Sequence, residues 1–148
     1  MVVVKKSISI RAPLDRVYAL ARDPQKGIIS FPGMGELTEQ TGEGGVGTIA
    51  RYDYSMEGSH FAVTHRVVED QLGPAEAQWK GEFDGPLPGE HAWVFVPSDG
   101  GTKVTVDLRY TISDEALIAV PIRLFIERSQ ERGLDFSLDN LMMLSEAD

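Results

Sequence analysis

The sequence predicts an α+β domain in which an antiparallel sheet of about seven strands packs against one long C-terminal helix. Two observations support this prediction. Between residues 37 and 112, apolar and polar side chains alternate, and turn residues divide the segment into six strands. From Asp114 onward, apolar residues recur at helical spacing instead. The predicted order is therefore one strand, one or two short helices, six strands and a long helix.

A short helix is predicted directly after the first strand. Pro13 suits the first turn of a helix, where its missing N–H needs no partner. Leu14 and Val17 begin an apolar row at helical spacing. The helix is expected to end at Asp23-Pro24, because a residue that precedes proline is disfavoured in the α conformation.

The six strands that follow each carry one apolar and one polar face, as expected for an antiparallel sheet with one face in solvent. Turn signals between them include Gly73-Pro74 and Asp99-Gly100-Gly101. The segment Gly42–Gly47 matches the pattern G-x-G-x-x-G of dinucleotide-binding proteins. Such a site needs a helix after the glycines, and here a strand is predicted, so the glycines are interpreted as a hairpin turn.

The C-terminal helix is predicted to be long enough to cross the whole sheet. Ser113 is a suitable N-cap, and Pro121 marks a restart or kink. From there to about Ser145, the helix would measure about 37 Å. Its apolar stripe, interrupted by charged residues in the middle, comprises Leu117, Val120, Leu124, Leu134, Leu138 and Leu141.

The composition excludes several classes of partner. A formal net charge of −9 opposes nucleic-acid binding, which depends on Lys and Arg contacts to phosphates. No run approaches the roughly 20 apolar residues that a membrane-spanning helix requires, so no stable membrane insertion is expected. The first residues, Met1–Lys6, do not have the pattern of a signal peptide, so a cytoplasmic location is expected.

Cofactor chemistry finds little support in the sequence. The chain has no cysteine, so it can form no disulfide, thiol nucleophile or thiolate metal site. Its histidines do not follow a metal-site spacing such as H-x-x-x-H, so neither a metal nor another cofactor is expected. The sequence leaves open whether the protein forms a homodimer.

The segment Ile10–Pro24 reads I-x-A-P-x-x-x-V-Y-x-L-x-x-D-P. It resembles the opening of the START-like, or SRPBCC, superfamily, which includes polyketide cyclases, lipid-transport proteins and plant pollen allergens. The predicted element order matches that superfamily over a single domain spanning residues 1–148. The resemblance implies a helix-grip fold (order β-α-α-β6-α), with a ligand cavity between the curved sheet and the last helix.

Strand parity indicates which side chains would line such a cavity. They combine broad apolar area with polar tips able to form hydrogen bonds, although filling a core is the more common role of any one aromatic residue. The predicted ligand-binding residues are Tyr52, Tyr54, Met56, His65, Trp79, His91, Trp93 and Tyr110 on the sheet, with Leu124 and Glu127 on the helix. Glu127 and Glu131 face either the cavity or solvent. Asp84–Gly89, rich in proline and glycine, is predicted to be a mobile rim of the cavity.

Three functions are compatible with this lining. The leading hypothesis is binding or transport of a small hydrophobic molecule, such as a lipid, a polyketide or a quinone-like compound. The alternative is an aromatase/cyclase or dehydratase, in which His65 or His91 acts as acid or base near neutral pH and Tyr54 donates a proton. The third is an interaction module like the Hsp90-activator branch of the superfamily, for which no motif is visible.

Overall fold

The computed structural model describes residues 1–24, 26 and 36–147, which form a sheet of seven strands and three helices. The elements are β1 (Val2–Ile10), α1 (Leu14–Arg22), β2 (Leu37–Thr41), β3 (Ile49–Met56), β4 (Ser59–Leu72), β5 (Ala77–Phe83), β6 (Gly89–Ser98), β7 (Gly101–Tyr110), α2 (Asp114–Ala119) and α3 (Arg123–Glu146). This confirms the predicted α+β class. A second short helix after α1 would lie largely outside the described residues.

The sheet is antiparallel throughout, in the order β1-β7-β6-β5-β4-β3-β2. Consecutive strands from β2 to β7 are neighbours, as short hairpin turns require, and β1 joins the edge beside β7. The register pairs Trp79 with Trp93, and Gly81 with His91, across β5 and β6. The alternating inward residues predicted from the sequence are therefore brought side by side on one face.

The helix boundaries agree with the local signals in the sequence. Asp23, after the end of α1, has an extended conformation. The Ser113 hydroxyl accepts a hydrogen bond from the Ala116 backbone N–H at 3.1 Å, which caps α2. The chain leaves the helical conformation after Ala119 and resumes it at Arg123, so Pro121 lies in the predicted interruption.

Helix α3 packs one row of side chains against one face of the sheet. The buried members of that row are Ile126, Gln130, Leu134, Ser137, Leu138, Leu141 and Ser145. The prediction that Leu124 faces the cavity is wrong, because Leu124 is 50% exposed. At about 100° per residue, it lies roughly a quarter turn away from the buried row.

Polar contacts fix α3 to the rest of the fold at its middle and at its C-terminus. Lys6 on β1 forms an ion pair with Asp135 at 2.8 Å. The Arg16 guanidinium of α1 donates to the carbonyl oxygens of Ser145 and Ala147, each at 2.8 Å. A cation at this position satisfies carbonyl groups that a helix C-terminus leaves without partners.

Candidate functional site

A small cavity lies between the sheet and α3, beneath the loop 84–88. Its volume is only about 30 Å³. A single water needs about 10–15 Å³ of such space, so the cavity has room for about two waters. Its walls are Tyr52, Tyr54, Val63, Phe83, Asp84, Pro86, Leu87, His91, Leu108, Gln130 and Leu134.

Tyr54 and Gln130 form a buried hydrogen-bonded pair in this largely apolar wall. The Gln130 amide nitrogen donates to the Tyr54 hydroxyl oxygen at 3.1 Å, and both residues are buried. Burial raises the pKa of Tyr54 to about 12, so the hydroxyl keeps its proton at neutral pH. The Met56 sulfur, which lies 3.9 Å from the Tyr54 hydroxyl oxygen, is only a weak acceptor for that proton.

This pair leaves at least one donor and one acceptor for a ligand. With the amide nitrogen on Tyr54, the remaining groups are the Tyr54 O–H, the second Gln130 N–H and the Gln130 amide oxygen. With the amide turned over, they would be both Gln130 N–H groups and a Tyr54 lone pair. In either orientation, the pair can bind a molecule that carries an acceptor next to a donor.

The loop 84–88 closes the cavity on one side. Pro86 and Leu87 are buried and face the cavity. The Asp84 carboxylate accepts from the Thr64 backbone N–H at 2.7 Å, and the Pro86 carbonyl accepts from the Ser113 N–H at 3.1 Å. The loop is thus tied to β4 on one side and to the start of α2 on the other.

His65 and His91 meet beside the cavity as a pair of neutral imidazoles. Their Nε2 atoms are 2.8 Å apart, and Trp93 Nε1 donates to His91 Nδ1 at 2.8 Å. Because His91 Nδ1 accepts, its proton must lie on Nε2 and be donated to His65 Nε2. The remaining proton of His65 is therefore on Nδ1.

Burial keeps both rings uncharged. It lowers the pKa of His65 to about 3. Burial, and then the neighbouring His65, also lower the pKa of His91 well below its usual value. The expectation that these histidines titrate near neutral pH is therefore wrong for the closed structure, because no carboxylate accompanies them among the described residues to stabilise a positive charge.

Gly81 makes the histidine pair possible. A Cβ atom at this position would lie 2.2 Å from His65 Nε2 and 3.0 Å from His91 Nε2. The His65 ring also stacks on Trp79, with ring centroids 5.4 Å apart. The sequence placed Gly81 on the inward face but gave no sign that the two rings need its missing side chain.

The structure divides the predicted lining into two groups. Tyr52, Tyr54 and His91 line the cavity. The Met56 sulfur contacts the Tyr54 hydroxyl, but Met56 lies outside the cavity wall. The other predicted sheet residues, His65, Trp79, Trp93 and Tyr110, are buried but lie outside the cavity wall. Neither tryptophan is therefore placed to contact a ligand in this cavity directly.

Glu127 is half-buried and lies outside the cavity wall, near Tyr110. Burial, and then the charge of Glu127, raise the pKa of Tyr110 to about 12. Glu131 is exposed. The Tyr110 hydroxyl is buried without a hydrogen-bond partner among the described residues.

Gln130, Leu134 and Leu87 are wall residues that the sequence analysis did not identify as ligand-binding. A signal was present for Gln130, since it is a polar residue four positions before Leu134 in the apolar row of the helix. Leu87 lies in the segment Asp84–Gly89 that the sequence predicts as the cavity rim, but nothing in the sequence marks it as the rim residue that faces the cavity. Across the described residues, no three His, Asp or Glu side chains are grouped in a way that could hold a metal ion.

The comparisons with known proteins agree with this fold. The sequence model of the family described as "Polyketide cyclase / dehydrase and lipid transport" matches residues 1–146. A search of curated proteins found no match.

Among the described helices, none is long and apolar enough to cross a membrane.

Solved structures with similar folds come from several sources. TTHA0849 from Thermus thermophilus has a TM-score of 0.69 at 21% identity, covering 97% of both chains. Ara h 8.0201 has a TM-score of 0.62 at 15% identity, covering 96% of this chain and 98% of the other. Norcoclaurine synthase from Thalictrum flavum, solved with dopamine and hydroxybenzaldehyde, has a TM-score of 0.59 at 17% identity, covering 99% and 89%.

Proposed function

The chain belongs to the polyketide cyclase/dehydrase and lipid-transport family, within the SRPBCC superfamily of helix-grip proteins, and we propose that it binds a small, largely apolar ligand between its sheet and α3. The cavity wall supports this proposal, because its largely apolar side chains surround the buried hydrogen-bonding pair Tyr54 and Gln130, whereas the polar groups of His91 and Asp84 hydrogen-bond to other parts of the protein. Ligand sites commonly combine an apolar wall with a few fixed polar groups in this way.

The Tyr54–Gln130 pair favours a ligand with an apolar body and a donor next to an acceptor on one edge. A hydroxyl beside a carbonyl has this pattern, so quinone-like and polyketide-like compounds fit better than simple hydrocarbons. A structural neighbour, norcoclaurine synthase, was solved with dopamine and hydroxybenzaldehyde, which is consistent with an aromatic ligand in this fold. A lipid with a polar head group also belongs to the proposed class.

Ligand binding requires the cavity to expand, because its volume is only about 30 Å³. Leu87 occupies the cavity side of the loop 84–88 and is held there by packing. We infer that this loop moves outward and withdraws Leu87 when a ligand enters. Hydrogen exchange on the ligand-free protein should show faster exchange in the loop than in β5 and β6.

The structure lends less support to an enzyme that uses the histidines. In the pair described above, each ring nitrogen either carries a proton or already accepts a hydrogen bond. No imidazole lone pair of this pair is therefore free to remove a proton from a substrate.

A cytoplasmic location and the expected lack of nucleic-acid binding stay predictions.

The proposal is tested by thermal unfolding with a panel of fatty acids, sterols, quinones and aromatic polyketides. At least one class should stabilise the protein, by about 2.7 kcal/mol at a hundredfold excess over its dissociation constant. Tyr54→Phe and Gln130→Leu should each weaken binding of that compound. Tyr110→Phe is the matched control, because the Tyr110 hydroxyl has no partner among the described residues and lies outside the cavity wall. If no class stabilises the protein, the proposal is wrong.

A further inference from the structure

An apolar stripe runs along the outer face of α3, away from the cavity. Phe125, Phe136 and Met143 are 49%, 60% and 68% exposed. Phe125 and Phe136 are eleven residues apart, and Phe136 and Met143 are seven apart. At about 100° per residue, the three side chains therefore point within roughly 20° of one another around the helix. The buried row that includes Leu134 lies on the opposite side of the helix. Large apolar side chains aligned in this way suggest an interaction surface.

Charged residues on one flank of the stripe are arranged in a self-complementary way. Arg128 and Asp139 both lie on this flank, and neither forms an ion pair within the described part of the chain. A twofold axis between two antiparallel helices keeps the same flank of each helix on the same side. Arg128 of one copy can therefore face Asp139 of the other copy, and the reverse.

We propose that the outer face of α3 binds a second copy of this chain, with the two α3 helices antiparallel. In the register that pairs Arg128 with Asp139, Phe125 of one copy packs beside Met143 of the other. Arg132 of one copy then lies against the Phe136 ring of the other, an arrangement that permits a cation–π contact. Every large apolar residue of the stripe gains a partner in this single register.

A second copy fits this surface better than a lipid bilayer does. The flank carries Asp139 as well as Arg128 and Arg132. An anionic membrane surface attracts clusters of Lys and Arg, whereas a flank with both signs of charge matches an antiparallel copy of itself. The cavity wall lies on the inner side of α3, so the proposed dimer leaves the ligand site uncovered.

Sedimentation equilibrium of the full chain tests the interface. The wild-type protein should show a monomer–dimer equilibrium at chain concentrations up to about 1 mM, and Phe136→Asp should raise the dissociation constant at least about tenfold. Ile118→Asp is the matched control, because Ile118 is 84% exposed on α2, off the stripe. It should leave the dissociation constant unchanged. A monomeric wild type, or a dimer indifferent to Phe136→Asp, would overturn the proposal.

A charge exchange tests the antiparallel register. Arg128→Asp and Asp139→Arg should each weaken the dimer, whereas the double variant should restore it to within about threefold of the wild type. The two residues are about 16 Å apart along the helix, so they cannot restore each other's partner within one chain. A double variant as weak as the single variants would contradict the proposed register. Ligand stabilisation should persist in all these variants, which separates a failed dimer from a failed binding function.

Discussion

Two regions of the interior share one face of the sheet but differ in how they are filled. The packed region is dominated by aromatic rings in contact, and the cavity region leaves space between the sheet and α3. The packed region comprises His65, Val67, Trp79, Gly81, Trp93 and Phe95. The cavity region comprises Tyr52, Tyr54, Val63, Leu87, Gln130 and Leu134, with His91 between the two. Strand parity therefore decides which face a residue takes, but not whether its surroundings are full.

The difference has a local cause in each region. In the packed region, Gly81 lets two imidazole rings approach to hydrogen-bonding distance, and the Trp93 N–H fixes their protons. In the cavity region, Tyr54 and Gln130 use part of their hydrogen-bonding capacity on each other and link β3 to α3, and space remains beside them. An added side-chain atom should therefore lower the free energy of unfolding more in the packed region than in the cavity region.

The largest effect is expected from Gly81→Ala in the packed region. The new methyl group would lie 2.2 Å from His65 Nε2, and the ring cannot retreat because it stacks on Trp79. Overpacking of this kind should lower the free energy of unfolding by about 3 kcal/mol, measured by urea denaturation. Gly45→Ala is the matched control, because its nearest neighbour would be 3.7 Å away, and it should be close to neutral.

A pH dependence of stability should come from the same region. An unfolded histidine binds a proton below about pH 6.5, whereas His65 in the fold has a pKa of about 3. Between these values the unfolded state binds more protons, so stability falls as the pH falls. For His65 alone the loss between pH 7 and pH 5 should be about 2 kcal/mol, and His91 adds to it in the same direction.

Urea denaturation across this pH range measures the loss. The double variant His65→Leu, His91→Leu should show a clearly shallower dependence on pH, whatever its stability at pH 7. An equally steep dependence in that variant would mean that other groups cause the loss and that the histidines are not held neutral.

The two tryptophans should differ although they are cross-strand neighbours. Trp93→Phe leaves His91 Nδ1 buried without its donor, whereas the Trp79 N–H has no hydrogen-bond partner among the described residues. Trp93→Phe should therefore cost about 1–2 kcal/mol more than Trp79→Phe, measured by urea denaturation of both variants. An equal loss of unfolding free energy in both variants would show that the Trp93 hydrogen bond to His91 does not stabilise the histidine pair.

The order of elements and the inward faces could be predicted from the sequence because they depend on local signals. The alternation around Tyr52 and Tyr54, the cap at Ser113 and the break near Pro121 are each set by neighbouring residues. The division between packed and open space could not be predicted in this way. It depends on the register that places Gly81 opposite His91, and on Gln130 of a distant helix reaching Tyr54. The prediction for Leu124 failed for a similar reason, since the helix rotation that exposes it is set by packing.

The smallest stability effect should come from added volume in the cavity region. Val63 and Val67 lie on the same strand and face, but only Val63 lines the cavity. Val67→Phe should cost about 1–3 kcal/mol in urea denaturation, as usual for overpacking, whereas Val63→Phe should cost less than about 1 kcal/mol. Similar costs would mean that the cavity region is already full.

The most direct test of the binding claim uses the same two variants and 9,10-anthraquinone, a flat quinone whose carbonyl oxygens can accept from the Tyr54 O–H or a Gln130 N–H. Equilibrium dialysis measures its dissociation constant for each folded protein. Val63→Phe fills the cavity and should weaken binding at least about tenfold, which corresponds to about 1.4 kcal/mol, whereas Val67→Phe should bind like the wild type. Equal binding by Val63→Phe and the wild type would contradict a ligand site between the sheet and α3, and a wild type that binds no quinone would rule out the quinone class of ligand.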